Sequence, residues 1–192
     1  MLDASRLEVA LSTLGRLLSE RGLCYELVAV GGSGLLMLGL TVRPTRDLDI
    51  VALVEKGQYV KLRNLPGPLL AAVREVAQIE GLAPNWINPG PADLLDFGLP
   101  EGFAERTETK RYGPLVFHVA SRIDQVALKV YAAADAGPRS KHFQDLANLS
   151  PSHSELIKAG RWAVTHDTSD AFRAQLVGCL VALGVEDAGD RL

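Results

Sequence analysis

The sequence predicts a mixed α/β fold with a helical C-terminal part, and three features carry that prediction. An apolar, strand-like run at 27–30 leads through Gly31-Gly32-Ser33-Gly34 into a leucine-rich segment of helical character. A second strand-like run follows at 47–54, where Ile50, Val51, Leu53 and Val54 suit a pleated, half-buried surface and Lys56-Gly57 closes it. From Ser121 onward the apolar residues recur at helical spacing. Together they describe a small mixed sheet with flanking helices (α+β). The domain is expected over 1–150, with a helical extension over 151–192 packed on it.

Before the first strand, Leu7, Leu11, Leu14, Leu17 and Leu18 line one face of an opening helix that Gly22 stops. The segment of Leu35, Leu36, Met37 and Leu38 makes the second helix, ended by Gly39. Arg43-Pro44-Thr45-Arg46 is polar and proline-punctuated, hence a loop. A helix over 69–79 begins behind Pro66-Gly67-Pro68, and 85–88 is a short extended piece between prolines. Residues 101–110 are polar and show no decisive period. A strand at 115–120 pairs across Tyr112-Gly113-Pro114 with the segment before it. Helices are expected at 122–135, at 141–149, behind the Ser152/Glu155 capping box and at 171–183, with a frayed tail after Gly184.

Composition narrows the class. Of 192 residues, 47% are hydrophobic and 22% charged, which is globular and large enough to bury a core. A formal net charge of -3 argues against wrapping nucleic acid with the whole surface, while leaving room for a local basic patch. Cys24 and Cys179 each lie in an apolar run and read as reduced core residues. The N-terminus carries Asp3, Arg6, Glu8 and Arg16, unlike a secretory signal. The longest uncharged stretch, 27–42, is interrupted by glycines and falls short of the roughly 20 residues that span a bilayer. A cytoplasmic chain with no membrane partner is expected.

The chemistry concentrates in Gly31-Gly32-Ser33 and in Arg43-Pro44-Thr45-Arg46-Asp47-Leu48-Asp49-Ile50. On a strand, side chains alternate between faces, so Asp47 and Asp49 project together while Leu48 and Ile50 point to the core. Two carboxylates on one face repel unless a cation lies between them, and a hard oxygen-seeking ion such as magnesium suits the place. Taken alone, Asp-x-Asp is as readily a solvated strand end. Gly31-Gly32, between strand and helix, exposes backbone N–H groups, Ser33 adds a hydroxyl, and the helix start adds a positive end, so phosphate suits this step. A plain tight turn is the alternative for the glycines alone. Thr45, two residues before Asp47, is expected on the same side, where phosphorylation would set negative charge against the carboxylates.

Gly31-Gly32-Ser33 followed by Arg43-x-Thr45-x-Asp47-x-Asp49 resembles the signature of the nucleotidyltransferase superfamily related to DNA polymerase beta. More narrowly it is similar to the AbiEii/MenT-type nucleotidyltransferases, many of them toxins of bacterial toxin–antitoxin pairs. The resemblance continues through Arg122-Ile123-Asp124-Gln125-Val126-Ala127-Leu128-Lys129 and Lys141-His142-Phe143-Gln144-Asp145-Leu146, touching residues 28–149. It implies the nucleotidyltransferase fold, an NTP substrate and a Mg2+ or Mn2+ cofactor on Asp47 and Asp49. It assigns phosphate binding to Gly31, Gly32, Ser33, Arg43, Thr45 and Lys141, and catalytic roles to Asp47, Asp49, Lys129 and Asp145. Lys129 would neutralise triphosphate charge. Read from the residues alone, Lys129 is a snorkelling lysine and Lys141 with Asp145 a surface ion pair at i, i+4.

One departure stands out. Polymerase-like members take a third metal carboxylate from a later strand, but 115–120 offers only His118. Asp145, Asp93 or Asp96 would have to substitute, or one metal dominates. Three functions remain open: NMP transfer to RNA, foremost the tRNA 3' acceptor end, with a cognate antitoxin as partner; transfer to a small-molecule or protein hydroxyl; and a non-catalytic antitoxin-like module. Arg106, Lys110, Arg111, Arg122, Arg139 and Lys141 are the basic residues available to an RNA acceptor.

Overall fold

Asp3 starts the first helix. Its side chain accepts the Arg6 N–H, and α1 runs over Ala4–Glu20 with Leu7, Leu11, Leu14 and Leu18 turned inward. The computed structural model describes all residues 1–192 and divides into two compact units, Met1–Ala120 and Ser121–Leu192. The sequence pattern drew its boundary at 150. The contacts draw it before the helix at 122–136, because that helix packs against the three that follow it.

The first unit is a six-stranded mixed sheet with helices. Its elements are β1 (Tyr25–Val30), α2 (Gly31–Met37), β2 (Leu48–Glu55), β3 (Gln58–Val60), α3 (Gly67–Glu80), β4 (Ile87–Asn88), a 3-10 turn (Gly90–Asp96), α4 (Phe103–Arg106), β5 (Glu108–Tyr112) and β6 (Leu115–Val119). The strand order is β3-β2-β1-β6-β5, with β4 also on β2. β1 runs antiparallel to β2 and parallel to β6. β3 and β4 share the outer edge of β2: β3 pairs at Leu53–Glu55 and β4 at Leu48 and Asp49. Leu27, Ala29, Leu48, Ile50, Leu53, Phe117 and Val119 meet the leucine stripe of α1 and Leu69, Val73 and Val76 of α3 in one core. Trp86 is fully buried there, its Nε1 donating to the Val73 carbonyl at 3.0 Å.

The β1/β2 ladder contains a bulge. Val28 pairs with Ala52 and Ala29 with Ile50, so Val51 is the extra residue on β2. Asp49 then opposes Val30, and His118 opposes Val28. Val28 and Val30 face the same way, so Asp49 and His118 lie on the sheet face opposite the α1/α3 core.

Close approach of backbone fixes α1 against β5. A methyl added at Gly15 would stand 2.1 Å from the Tyr112 carbonyl oxygen. Gly15→Ala is therefore expected to push α1 off the sheet edge, costing about 2–3 kcal/mol and roughly 5–10 °C in Tm, read by thermal unfolding.

The second unit is helical: α5 (Arg122–Ala136), α6 (Lys141–Leu149), α7 (His153–His166), α8 (Asp170–Ala182) and α9 (Ala188–Arg191). Serines cap four of them: Ser121, Ser140, Ser152 and Ser169 each accept the N–H three residues on. The Ser152/Glu155 capping box forms as its spacing suggests. Glu155 also takes Arg122 Nη1 at 2.7 Å, and chiefly this hydrogen bond lowers its carboxyl from the ordinary 4.5. A carboxylate with a depressed folded pKa stabilises above its unfolded value and loses that contribution as pH falls through the folded one. Glu155→Gln is thus expected to lower stability at pH 7, and the gap to the wild type should close in urea titrations carried into the acid range.

Three expectations fail in the packing. The tail does not fray: Val185 and Ala188 are buried, and Arg161 donates to the Arg191 carbonyl. Cys24, just before β1, is exposed, whereas Cys179 is buried and its thiol pushed up to about 11 by burial. The second helix begins at Gly31 itself, so the glycines are its first turn and not a loop before it.

Candidate active site

The glycine step, the proline loop and the carboxylates meet in the first unit. Gly31 has φ +74, and a methyl there would lie 2.6 Å from Asp49 Oδ2. Only glycine lets the backbone come this close to that carboxylate. At Gly32 a methyl would stand 3.2 Å from Thr45 Oγ1 and 3.6 Å from Arg43 Nη2. Gly31, Gly32, Arg43, Thr45 and Asp49 thus form one constellation although the chain runs through α2 and a loop between its halves. The loop is fastened by a bridge between Leu2 and Thr45, whose backbones exchange hydrogen bonds of 2.7 and 2.9 Å.

Asp47 stands just before β2, not on it, and Asp49 is the second residue of the strand. Both are half-buried. Asn88 Nδ2 donates to Asp47 Oδ2 at 3.1 Å, and Asn88 Oδ1 accepts the Gly90 N–H at 2.9 Å. Thr45 is only 8% exposed, and its hydroxyl donates to the Asp47 carbonyl at 3.3 Å. Ser33 is fully buried, and its Oγ has no hydrogen-bond partner. A buried hydroxyl left unsatisfied costs about 1–3 kcal/mol, so such an atom calls for a ligand or water.

No three His, Cys, Asp or Glu side chains cluster to hold a metal ion on protein ligands alone. Asp47 and Asp49 are two carboxylates, which fits magnesium, an ion that keeps several waters and takes substrate phosphate oxygens. The orphaned Ser33 hydroxyl and the cradle that a methyl at Gly31 would fill agree with that fit. Asp93 and Asp96, the alternatives for a third ligand, are both held at 2.6 Å by Lys61 Nζ. That contact, a hydrogen bond above all, keeps the Asp93 carboxyl below its usual value. His118 Nε2 lies 3.1 Å from Glu26 Oε2 on the same sheet face as Asp49.

In the second unit, Lys129 Nζ and Asp145 Oδ2 form an ion pair at 2.7 Å, with side chains 5% and 0% exposed. Lys129 does not snorkel, and Asp145 pairs with it and not with Lys141, which is exposed. Arg122 is tied to Glu155 and to the Leu149 carbonyl, and Arg106 to the Glu101 carbonyl. Asn88 is the residue that sequence reading missed. Its only signal was the extended piece at 85–88 between prolines.

No protein-family model, curated protein or solved structure matches the chain. What the fold and this constellation define is a mixed α/β sheet protein with paired carboxylates beside a glycine step.

Proposed function

We propose that this chain is a metal-dependent nucleotidyltransferase of the AbiEii/MenT type, with the nucleotidyltransferase fold in its first unit. The observation that carries the reading is the Gly31–Asp49 approach, where a methyl would stand 2.6 Å from the carboxylate, beside the unsatisfied Ser33 hydroxyl. In this reading the acceptor oxygen bonds to the α-phosphorus of an NTP, the bond to the bridging oxygen breaks, pyrophosphate leaves, and the acceptor hydroxyl gives up its proton. Such transfer depends on positioning and charge neutralisation more than on covalent work by the protein. Asp47 and Asp49 would hold Mg2+ or Mn2+, which when bound supplies charge neutralisation on phosphate oxygens. Gly31 and Gly32 let phosphate approach the backbone, Ser33 Oγ donates to it, and Arg43 offers a planar fork of donors. Lys129, Lys141 and Asp145 enter on the resemblance alone.

The acceptor we favour is the tRNA 3' end, with the chain acting as the toxin of a toxin–antitoxin pair. Transfer to a small-molecule or protein hydroxyl is the second reading, favoured by the net charge of -3. Incubation with Mg2+, each labelled NTP and total tRNA, cellular protein or a small-molecule panel separates them. Label on tRNA that vanishes in Asp47→Ala supports the first, and label elsewhere supports the second. Label on nothing, or label indifferent to Asp47, would sink both and leave the non-catalytic module.

A further inference from the structure

Asn88 occupies a singular position. The parallel pairing of β4 with β2 sets it directly opposite Asp49, while its amide nitrogen reaches Asp47 Oδ2 at 3.1 Å. One side chain therefore lies beside both carboxylates of the site. Its other end is fixed: Oδ1 accepts the Gly90 N–H at 2.9 Å, and Gly90 has no side chain because a methyl there would stand 2.8 Å from that oxygen. With Oδ1 committed, the amide has one orientation, and Nδ2 must face Asp47. The turn after it is pinned in its own right, since Lys61 holds Asp93 and Asp96.

We infer that Asn88 is a positioning residue of the metal site, holding Asp47 Oδ2 so that the Asp47 carboxylate is aimed at a divalent ion shared with Asp49. The inference rests on the metal-site reading of Asp47 and Asp49. A carboxylate at this place would make three negative charges in one cluster and call for a second cation; the amide gives a donor in its stead. Asp93 and Asp96, on the turn that follows, are paired with Lys61. Groups that orient a metal ligand in this way typically change metal affinity by about 10–100-fold when removed.

The test reads Mn2+ binding to the apoprotein by the EPR signal of the free ion, with Tm measured with and without Mn2+. Asn88→Ala is expected to weaken Mn2+ binding by about 10-fold or more. Asn88→Asp keeps an acceptor for the Gly90 N–H and changes only the atom facing Asp47, so it remains folded if Asn88→Ala does not. It removes the donor to Asp47 and is therefore expected to weaken Mn2+ binding as Asn88→Ala does, by about 10-fold, with a smaller Mn2+-induced rise in Tm than the wild type. Wild-type Mn2+ binding that is lost in Asp49→Ala but unaltered in both Asn88 variants, or tightened in Asn88→Asp, overturns the role of Asn88 and leaves the metal site standing. Absence of Mn2+ binding in the wild type, or binding indifferent to Asp49→Ala, overturns the metal site and Asn88 with it.

Discussion

Asp49→Asn is expected to lower nucleotide transfer by about 10³-fold while Tm moves by no more than about 2 °C. The substitution keeps the shape of a side chain whose Oδ2 would lie 2.6 Å from a methyl at Gly31, so the packing around the glycine step is retained. What changes is charge. One of two like charges at the start of β2 disappears, which eases their repulsion and removes the anion that a divalent ion needs. A loss of activity with an unchanged melting curve separates a functional carboxylate from a structural one. Retention of transfer in this variant would end the assignment of Asp49.

The largest effect on stability is expected at Lys129. Its ammonium meets Asp145 at 2.7 Å with both side chains at most 5% exposed. Lys129→Met would leave the Asp145 carboxylate buried without that charge, costing about 3–5 kcal/mol and roughly 10–15 °C in Tm. The double substitution Lys129→Met with Asp145→Leu should recover most of the loss, because replacing a whole buried pair by apolar residues is often neutral. Urea denaturation of the two single variants and the double measures the coupling directly. A single variant as stable as a surface substitution would show that the pair contributes nothing. Activity losses in Lys129 variants therefore need a stability measurement beside them.

These residues also show what a sequence can reveal. Gly31-Gly32-Ser33 and Asp47-x-Asp49 were legible because their chemistry is local: a backbone without side chains, and carboxylates at the strand period. The leucine stripe of α1 and the Ser152/Glu155 capping box were legible for the same reason. Asn88 was not, because a two-residue strand has no period to detect and its pairing with Asp49 is a tertiary fact. The pairing of Lys129 with Asp145 joins two helices, so the i, i+4 rule pointed to Lys141 instead. The tail was misread because Val185 and Ala188 are too few to make a pattern, yet enough to anchor a chain end.

The bulge at Val51 makes β2 two ladders in different phase. Counted back from Leu53, strict alternation would turn Asp49 into the α1/α3 core. The additional residue absorbs the step, so that Asp49 opposes Val30 and Leu53 still opposes Leu27. Deleting Val51 would leave an uninterrupted ladder with the same oppositions, and a chain one residue shorter is expected to fold with its carboxylates on the same face. It would lose the extra local coiling that a bulge imparts. A shortened protein with a cooperative melting curve but no transfer would mean that the angle of the strand end, and not merely its facing, aims Asp47 and Asp49.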